Sequence, residues 1–451
     1  MERKELILSS VEKYKELMLD AEKYLWCHPQ TGFNEWQAHE YLKEKFESLG
    51  YELTEAGNIP GFYTDIDTGI PGPTLYIMGE LDALDIANHP QSIEGVTHCC
   101  GHHAQGATLL GIAAALKEKG MLDGMAGKIR LIATPAEEMI QLSYRDELRK
   151  KGVISYITGK VELMKRGFFD ERGLSLMIHT NTNDDGLEFK AGPGSNGCII
   201  KILKYKGKAT HAGAAPHLGI NAQYAATLGL QACNDLRETF KESDFIKFHP
   251  ILKGVKSAVN IIPDEMEIES YVRGKTIEAI SCENKKINRA LAGAAVSMGA
   301  MLEIHDRHSA APELHSKEFM QLAEKCCSDL VGEDKVEFLY EGWGTACSDF
   351  GDLTAVMPGL QFNAAGGKGV CHSIDFEINE PWRYCKNSAS AQLLIAYELL
   401  CNNCANAENI IKKYTPPFSS IDEYFKFIDT LMLDCEAVTY APDGTVTVKY
   451  M

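Results

Sequence analysis

Residues 74–84 read TLYIMGELDAL, apolar from Leu75 to Met78 and then carrying two acidic residues, Glu80 and Asp82. A short continuous apolar run that empties into acidic residues reads as a strand buried on both faces and leading into a loop. The same form recurs at KIRLIATPAEE (Lys128 to Glu138) and SLMIHT (Ser175 to Thr180), with a small-residue helix at Ala107 to Leu116 between the first two. Buried strands spaced by helices predict an α/β fold, a mostly parallel sheet covered by helices on both faces. Upstream, residues 9–49 read as two helices around the turn HPQTGF (His28 to Phe33). Downstream, the helix His315 to Leu330, the strand Thr354 to Asn363 and the helix Ala389 to Leu400 continue the alternation.

From about Gly194 to His308 the rhythm changes. A strand (Cys198 to Tyr205) and a helix (Asn221 to Thr239) precede two strands, Ala258 to Ile262 and Glu265 to Arg273, around the Pro263-Asp264 turn. A helix (Ile277 to Met298) and a strand (Ala300 to Asp306) follow, giving βαββαβ, the ferredoxin-like order. The expected organisation is a catalytic domain in two parts, residues 1–194 and 309–451, with an inserted lid domain at 195–308. From about Thr415 the chain is charged and hairpin-like, a C-terminal extension without a functional reading.

Composition narrows the partners. The chain has 451 residues, 45% apolar and 24% charged, which excludes disordered and fibrous classes. Lys plus Arg total 45 against 63 Asp plus Glu, so 45 − 63 = −18. That sign argues against nucleic acid and anionic membrane as partners. No apolar stretch reaches the roughly 20 residues of a membrane span. The charged, helix-like N-terminus and the 14 scattered cysteines predict a cytoplasmic protein with free thiols.

The sharpest local feature is THCCGHHAQG (Thr97 to Gly106), with two cysteines and three histidines in six positions ahead of a helix. Thiolate and imidazole are natural ligands for zinc and similar ions, and Cys100-Gly101-His102 sets one of each around a flexible glycine. A Cys/His turn without metal, or a thiol nucleophile paired with histidine, fits that stretch alone. Three other strand exits decide between them: the adjacent Glu137 and Glu138, His179, and His372 in VCHSIDF. Strand ends of α/β sheets are where sites form. One glutamate can bind metal while its neighbour serves as a proton acceptor. Cys100, His102, Glu138, His179 and His372 suffice for two ions with a shared ligand, an arrangement suited to amide hydrolysis.

With these landmarks the chain resembles the amidohydrolase branch of the dinuclear metallo-aminoacylase and carboxypeptidase family. That branch includes hippurate hydrolases, plant auxin-conjugate hydrolases and p-aminobenzoyl-glutamate hydrolases. The resemblance runs from about Glu12 to Glu398. It rests on HPQTGFNE, GELDAL, HCCGHHAQG, PAEE, His179, THAGAAPHLGINA, NIIPDE and CHSIDF in that order. It implies Cys100 as bridging ligand, His102, Glu138, His179 and His372 as the other ligands, and Glu137 as general base. It further implies a second-sphere carboxylate at Asp82, and His211 of the lid domain as an oxyanion partner, often across a homodimer formed by that domain. Two divalent ions, Zn2+ or Mn2+, are the implied cofactors.

The expected reaction is hydrolysis of the amide bond of a small-molecule N-acyl or N-aroyl amino acid, aminobenzoyl-glutamate-like or related. A dipeptidase or an N-acetyl-amino-acid deacetylase would use the same site. Arg273 and the Gly366-Gly367 loop are the candidates for a substrate carboxylate. A non-catalytic relative would be expected to lack Glu137 or several ligands, and all are present. A thiol redox role for Cys99-Cys100 or for the Cys401/Cys404 pair is the remaining alternative. Departures from the branch are His103 after the Cys-Gly-His, Gln105, Glu80, and the long insertion Met139 to Gly167.

Overall fold

A computed structural model describes residues 3–182, 185–253 and 257–450. The Thr74–Glu80 strand is buried throughout, as its unbroken apolar run requires, and lies inside an eight-stranded sheet. The strand order is Thr54–Glu55, Phe62–Asp67, Lys128–Thr134, Thr74–Glu80, Gly173–Asn181, Gly359–Ala365, Phe189–Ala191 and Val336–Phe338. Its centre, from Lys128–Thr134 to Gly359–Ala365, is parallel, and antiparallel pairs flank it. The His102–Leu116 helix is buried at every residue, because alanine and glycine let it fit between the sheet, the Lys15–Trp26 helix and the Pro381–Lys413 helix. A helix apolar all round belongs inside a layered protein.

The second sheet is antiparallel, ordered Lys247–Lys253, Glu265–Gly274, Gly197–Lys206, Met301–Ala310, Leu433–Tyr440, Val446–Val448. Ile199, Leu203 and Tyr205 point to a core shared with the helices Ala222–Asp235 and Ile277–Met298. The alternate residues Cys198, Ile200 and Ile202 pack with Met139, Leu142 and Ile157 of the insertion. That period of two follows from the pleat.

Three segments differ from their sequence reading. The strand expected at Ala258 to Ile262 lies at Lys247–Lys253; KFHPILK contains Pro250 and is mostly exposed, so as an edge strand it carries little hydrophobic signal. The Pro381–Lys413 helix is longer than expected and kinks at Cys401 to Cys404, where Asn402, Asn403 and Cys404 take positive φ. Beyond about 415, a helix (Ile421–Asp429) and a hairpin complete the chain, and the hairpin joins the second sheet, not the first. Tyr424, Phe425 and Ile428 pack with Ile154, Tyr156 and Leu353. Asp434 accepts from Arg307 at 2.6 Å and lies 2.7 Å from His305 Nδ1. The C-terminal segment therefore joins the insertion, the second sheet and the main body.

Candidate metal centre

The strand ends and the turn before the His102–Leu116 helix meet at one point. Gly101 stands there at φ +91°, and a Cβ on it would lie 2.2 Å from Thr180 Oγ1, so only glycine fits between Cys100 and His102. The ligating atoms of Cys100, His102 and His179 fall within 4.8 Å of one another, as do those of Cys100, Glu138 and His372. Cys100 belongs to both groups. Its Sγ is 3.3 Å from His179 Nε2, and His372 Nε2 is 3.1 Å from Glu138 Oε1. His372 itself is held at φ +65° by its N–H to the Cys99 carbonyl, 2.9 Å.

Asp82 links two of these groups. Its Oδ2 accepts the Glu138 N–H at 2.8 Å, and its Oδ1 is 3.1 Å from His102 Nδ1, leaving Nε2 turned to the centre. The turn carrying the glutamates is fixed from outside. Ala136, at φ +56°, donates its N–H to Glu35 Oε1 at 2.7 Å, and its carbonyl accepts from Gly159 N at 3.0 Å and Arg145 Nη1 at 3.3 Å. A non-glycine residue in that conformation persists only where its surroundings over-determine it.

The donor set fits a metal. His102 Nε2 and Glu138 Oε1 are buried without a hydrogen-bond partner, although each faces another donor atom. Buried polar atoms without partners are rare, and thiolate, imidazole and carboxylate converging there suit a divalent cation. Burial, then the neighbouring Glu80 and Glu138 carboxylates, raise the Glu137 pKa well above the usual range, and Lys160 opposes them. Burial would also raise Glu138, but the neighbouring His372, helped by His102, outweighs it and holds it down to about 2. Two adjacent glutamates thus have opposite proton affinities, the division of roles that a ligand and a base require.

The centre opens into a cleft of about 860 Å³ between the two sheets, lined by Glu137, Glu138, His179 and His372. Arg273 lines it too, its Nε buried and without a partner, its guanidinium 5.2 Å from the Tyr271 ring. Gly366 and Gly367 do not line it. A side chain at Gly366 would come 2.6 Å from Tyr384 Cβ and one at Gly367 2.6 Å from Thr180 Cγ2, so packing accounts for both glycines. His211 sits exposed on a turn of the second unit, its Nδ1 accepting from Gly213 and Ala214, and it too is absent from the lining. Sequence reasoning missed Lys160, an isolated lysine of the insertion that is wholly buried beside Glu80, and Glu35, whose place in HPQTGFNE was the only signal. Cys401 and Cys404 remain free thiols at the helix kink.

The fold and these residues define a class, a metal-dependent hydrolase of amide bonds. Residues 76–390 match the model of Peptidase family M20/M25/M40, and the chain belongs to that family. It is 25% identical to the Xaa-Arg dipeptidase of Homo sapiens over 359 residues, 74% of this chain and 73% of that one. It is 26% identical to the N-acetyl-L-cysteine deacetylase of Bacillus subtilis over 391 residues (83% and 85%). One of the subunits of the p-aminobenzoyl-glutamate hydrolase of Escherichia coli is also 26% identical, over 306 residues (65% and 58%). Among solved structures, the fold is that of an aminobenzoyl-glutamate utilization protein from Klebsiella pneumoniae, with TM-score 0.65, 17% identity and 85% and 96% of the two chains covered. A dinuclear metal binding peptidase from Bacillus subtilis gives 0.61, 19%, 85% and 98%.

Proposed function

We propose that the protein hydrolyses the amide bond of an N-acyl or N-aroyl amino acid, aminobenzoyl-glutamate-like or related, with Cys100, His102, Glu138, His179 and His372 holding two Zn2+ or Mn2+ ions. The observation that carries this is one cleft holding both the proton-seeking Glu137 and Arg273, whose buried Nε has no hydrogen-bond partner. When bound, the ions polarise the amide carbonyl and acidify a water. Glu137 takes the proton of that water and returns it to the leaving amine. Arg273 pairs with the substrate carboxylate, which orients the scissile bond and gives its buried Nε–H an acceptor. Asp82 is the positioning carboxylate for His102 and Glu138.

The second unit, residues 195–308, acts as a ferredoxin-like lid inserted between residues 1–194 and 309–451. His211 reaches a cleft from a second copy: it is exposed, and the lid's open edge strand Lys247–Lys253 with exposed Tyr224, Leu228, Ile251 and Leu252 supplies a surface for a homodimer. The acidic balance of the chain fits a cytoplasmic enzyme acting on small molecules. A dipeptidase is the second reading, favoured by Glu313, Glu337 and Glu341, which also line the cleft and suit a cationic residue.

Metal-depleted protein would be reconstituted with zinc or manganese and assayed for amine release from p-aminobenzoyl-glutamate, hippurate, acetyl-amino acids and dipeptides ending in arginine or glutamate. Metal-dependent turnover that is lost in Glu137→Gln is expected. Turnover that survives chelation would overturn the proposal, and the preferred substrate chooses between the two readings.

A further inference from the structure

Glu80 closes the Thr74–Glu80 strand and is wholly buried against the centre. Its Oε2 is 3.1 Å from His102 Nε2, and the ligating atoms of Glu80, His102 and Glu137 all lie within 4.8 Å. Asp82 Oδ1 and the Asp82 carbonyl, 3.1 and 3.0 Å away, take the proton of His102 Nδ1. In the neutral form of that tautomer the Nε2 lone pair faces a carboxylate oxygen, a repulsive contact that either a proton or a metal ion between them relieves. Donors about 2.0–2.2 Å from one ion are roughly 3 Å from each other. The Glu80–His102 separation therefore matches the Cys100–His179 and Glu138–His372 separations of 3.3 and 3.1 Å.

The other side of Glu80 is fully engaged. Its Oε1 accepts from Lys160 Nζ at 2.5 Å, and its Oε2 also accepts from Gln105 Nε2 at 2.9 Å. Lys160 is buried, contributed by the Met139 to Gly167 insertion, and bonds Asp349 Oδ1 at 2.5 Å while its N–H bonds Asp349 Oδ2 at 2.8 Å. A buried ammonium between two buried carboxylates fixes both, and ligating carboxylates are characteristically held by such outer contacts.

We infer that Glu80 is a sixth protein ligand, joining His102 on the ion that His102 holds, and that Lys160 is the positioning residue that presents it. This rests on the metal-hydrolase reading above. It gives the insertion a role at the centre: the insertion supplies the counter-charge that lets this chain carry a glutamate at that strand end.

The test is titration of the metal-free protein with Co2+, followed by visible absorption, for the wild type, Glu80→Gln and Lys160→Met. The wild type is expected to take up two ions. Glu80→Gln should bind one of them 10–100-fold more weakly, with changed d–d band intensity because a ligand is lost. Lys160→Met should weaken the same ion. Circular dichroism checks folding; if Glu80→Gln does not fold, the Glu80→Gln/Lys160→Met double variant, which leaves no lone buried ammonium, is read in the same way. An unchanged spectrum in the glutamine variant, with or without weaker binding, overturns the ligand assignment while leaving the two-ion site intact. A wild type that binds no cobalt overturns the metal reading itself.

Discussion

Gly101→Ala tests the geometry of the centre most directly. An L-residue at φ +91° costs about 1–2 kcal/mol relative to glycine. The new Cβ would meet Thr180 Oγ1 at 2.2 Å and Thr180 Cβ at 3.2 Å, an overpacking cost of about 1–3 kcal/mol in a closed interior. Together these give about 2–5 kcal/mol. At about 2.1 cal/mol/K per residue over 451 residues, 1 kcal/mol corresponds to about 1 °C. Differential scanning calorimetry of the metal-free protein should therefore show Tm lowered by about 2–5 °C. Thr180→Ala removes the hydroxyl but not the backbone strain, so in the Gly101→Ala background it should recover about half of the loss. A Gly101→Ala Tm within 0.5 °C of wild type would refute the reasoning, as would a double variant showing only the sum of the single losses.

Other outcomes follow from the same contacts. Asp82→Asn can no longer accept from both His102 and the Glu138 N–H in their present geometry, so metal affinity should fall 10–100-fold in competition with a chromophoric chelator; unaltered affinity would remove Asp82 as a positioning group. Glu35→Ala orphans the buried Ala136 N–H, a loss of about 1–3 kcal/mol by urea titration, and should lower kcat more than it raises KM because Glu137 follows Ala136 directly. Glu35→Gln keeps an acceptor and should restore most of kcat. Truncation after Thr430 uncovers the Met301–Ala310 strand and removes Asp434 from the buried Arg307, so size-exclusion chromatography should report soluble oligomers in place of the wild-type species.

Much of the main sheet was legible because its strands are buried on both faces and announce themselves as unbroken apolar runs. The candidate metal ligands stood out because they cluster at the ends of those runs and because cysteine, histidine and glutamate have few other reasons to gather there. The Ile277–Met298 helix was readable from its run of small residues. The Lys247–Lys253 strand was not, since an exposed edge with a proline has neither alternation nor an apolar run. Lys160 and Glu35 were invisible for a different reason: a single charged residue is indistinguishable from a surface one until tertiary contacts bury it. Gly366 and Gly367 illustrate the converse, glycines whose position near a strand end suggested a ligand loop when close packing against Tyr384 and Thr180 explains them.

The C-terminal hairpin also sets a schedule for folding. Val438 pairs with Leu302, a separation of 438 − 302 = 136 residues, so the Met301–Ala310 strand leaves the ribosome long before its partner exists. Until the Leu433–Tyr440 strand emerges, its buried Leu302 and Ile304 lack part of their cover and its hydrogen-bonding edge is open. Pairing across such a span is slow, and an unpaired edge in a nascent chain invites mispairing. The rate at which the hairpin of residues 433–448 follows the Met301–Ala310 strand out of the ribosome should therefore govern the yield of native protein more strongly than the stability of the folded state.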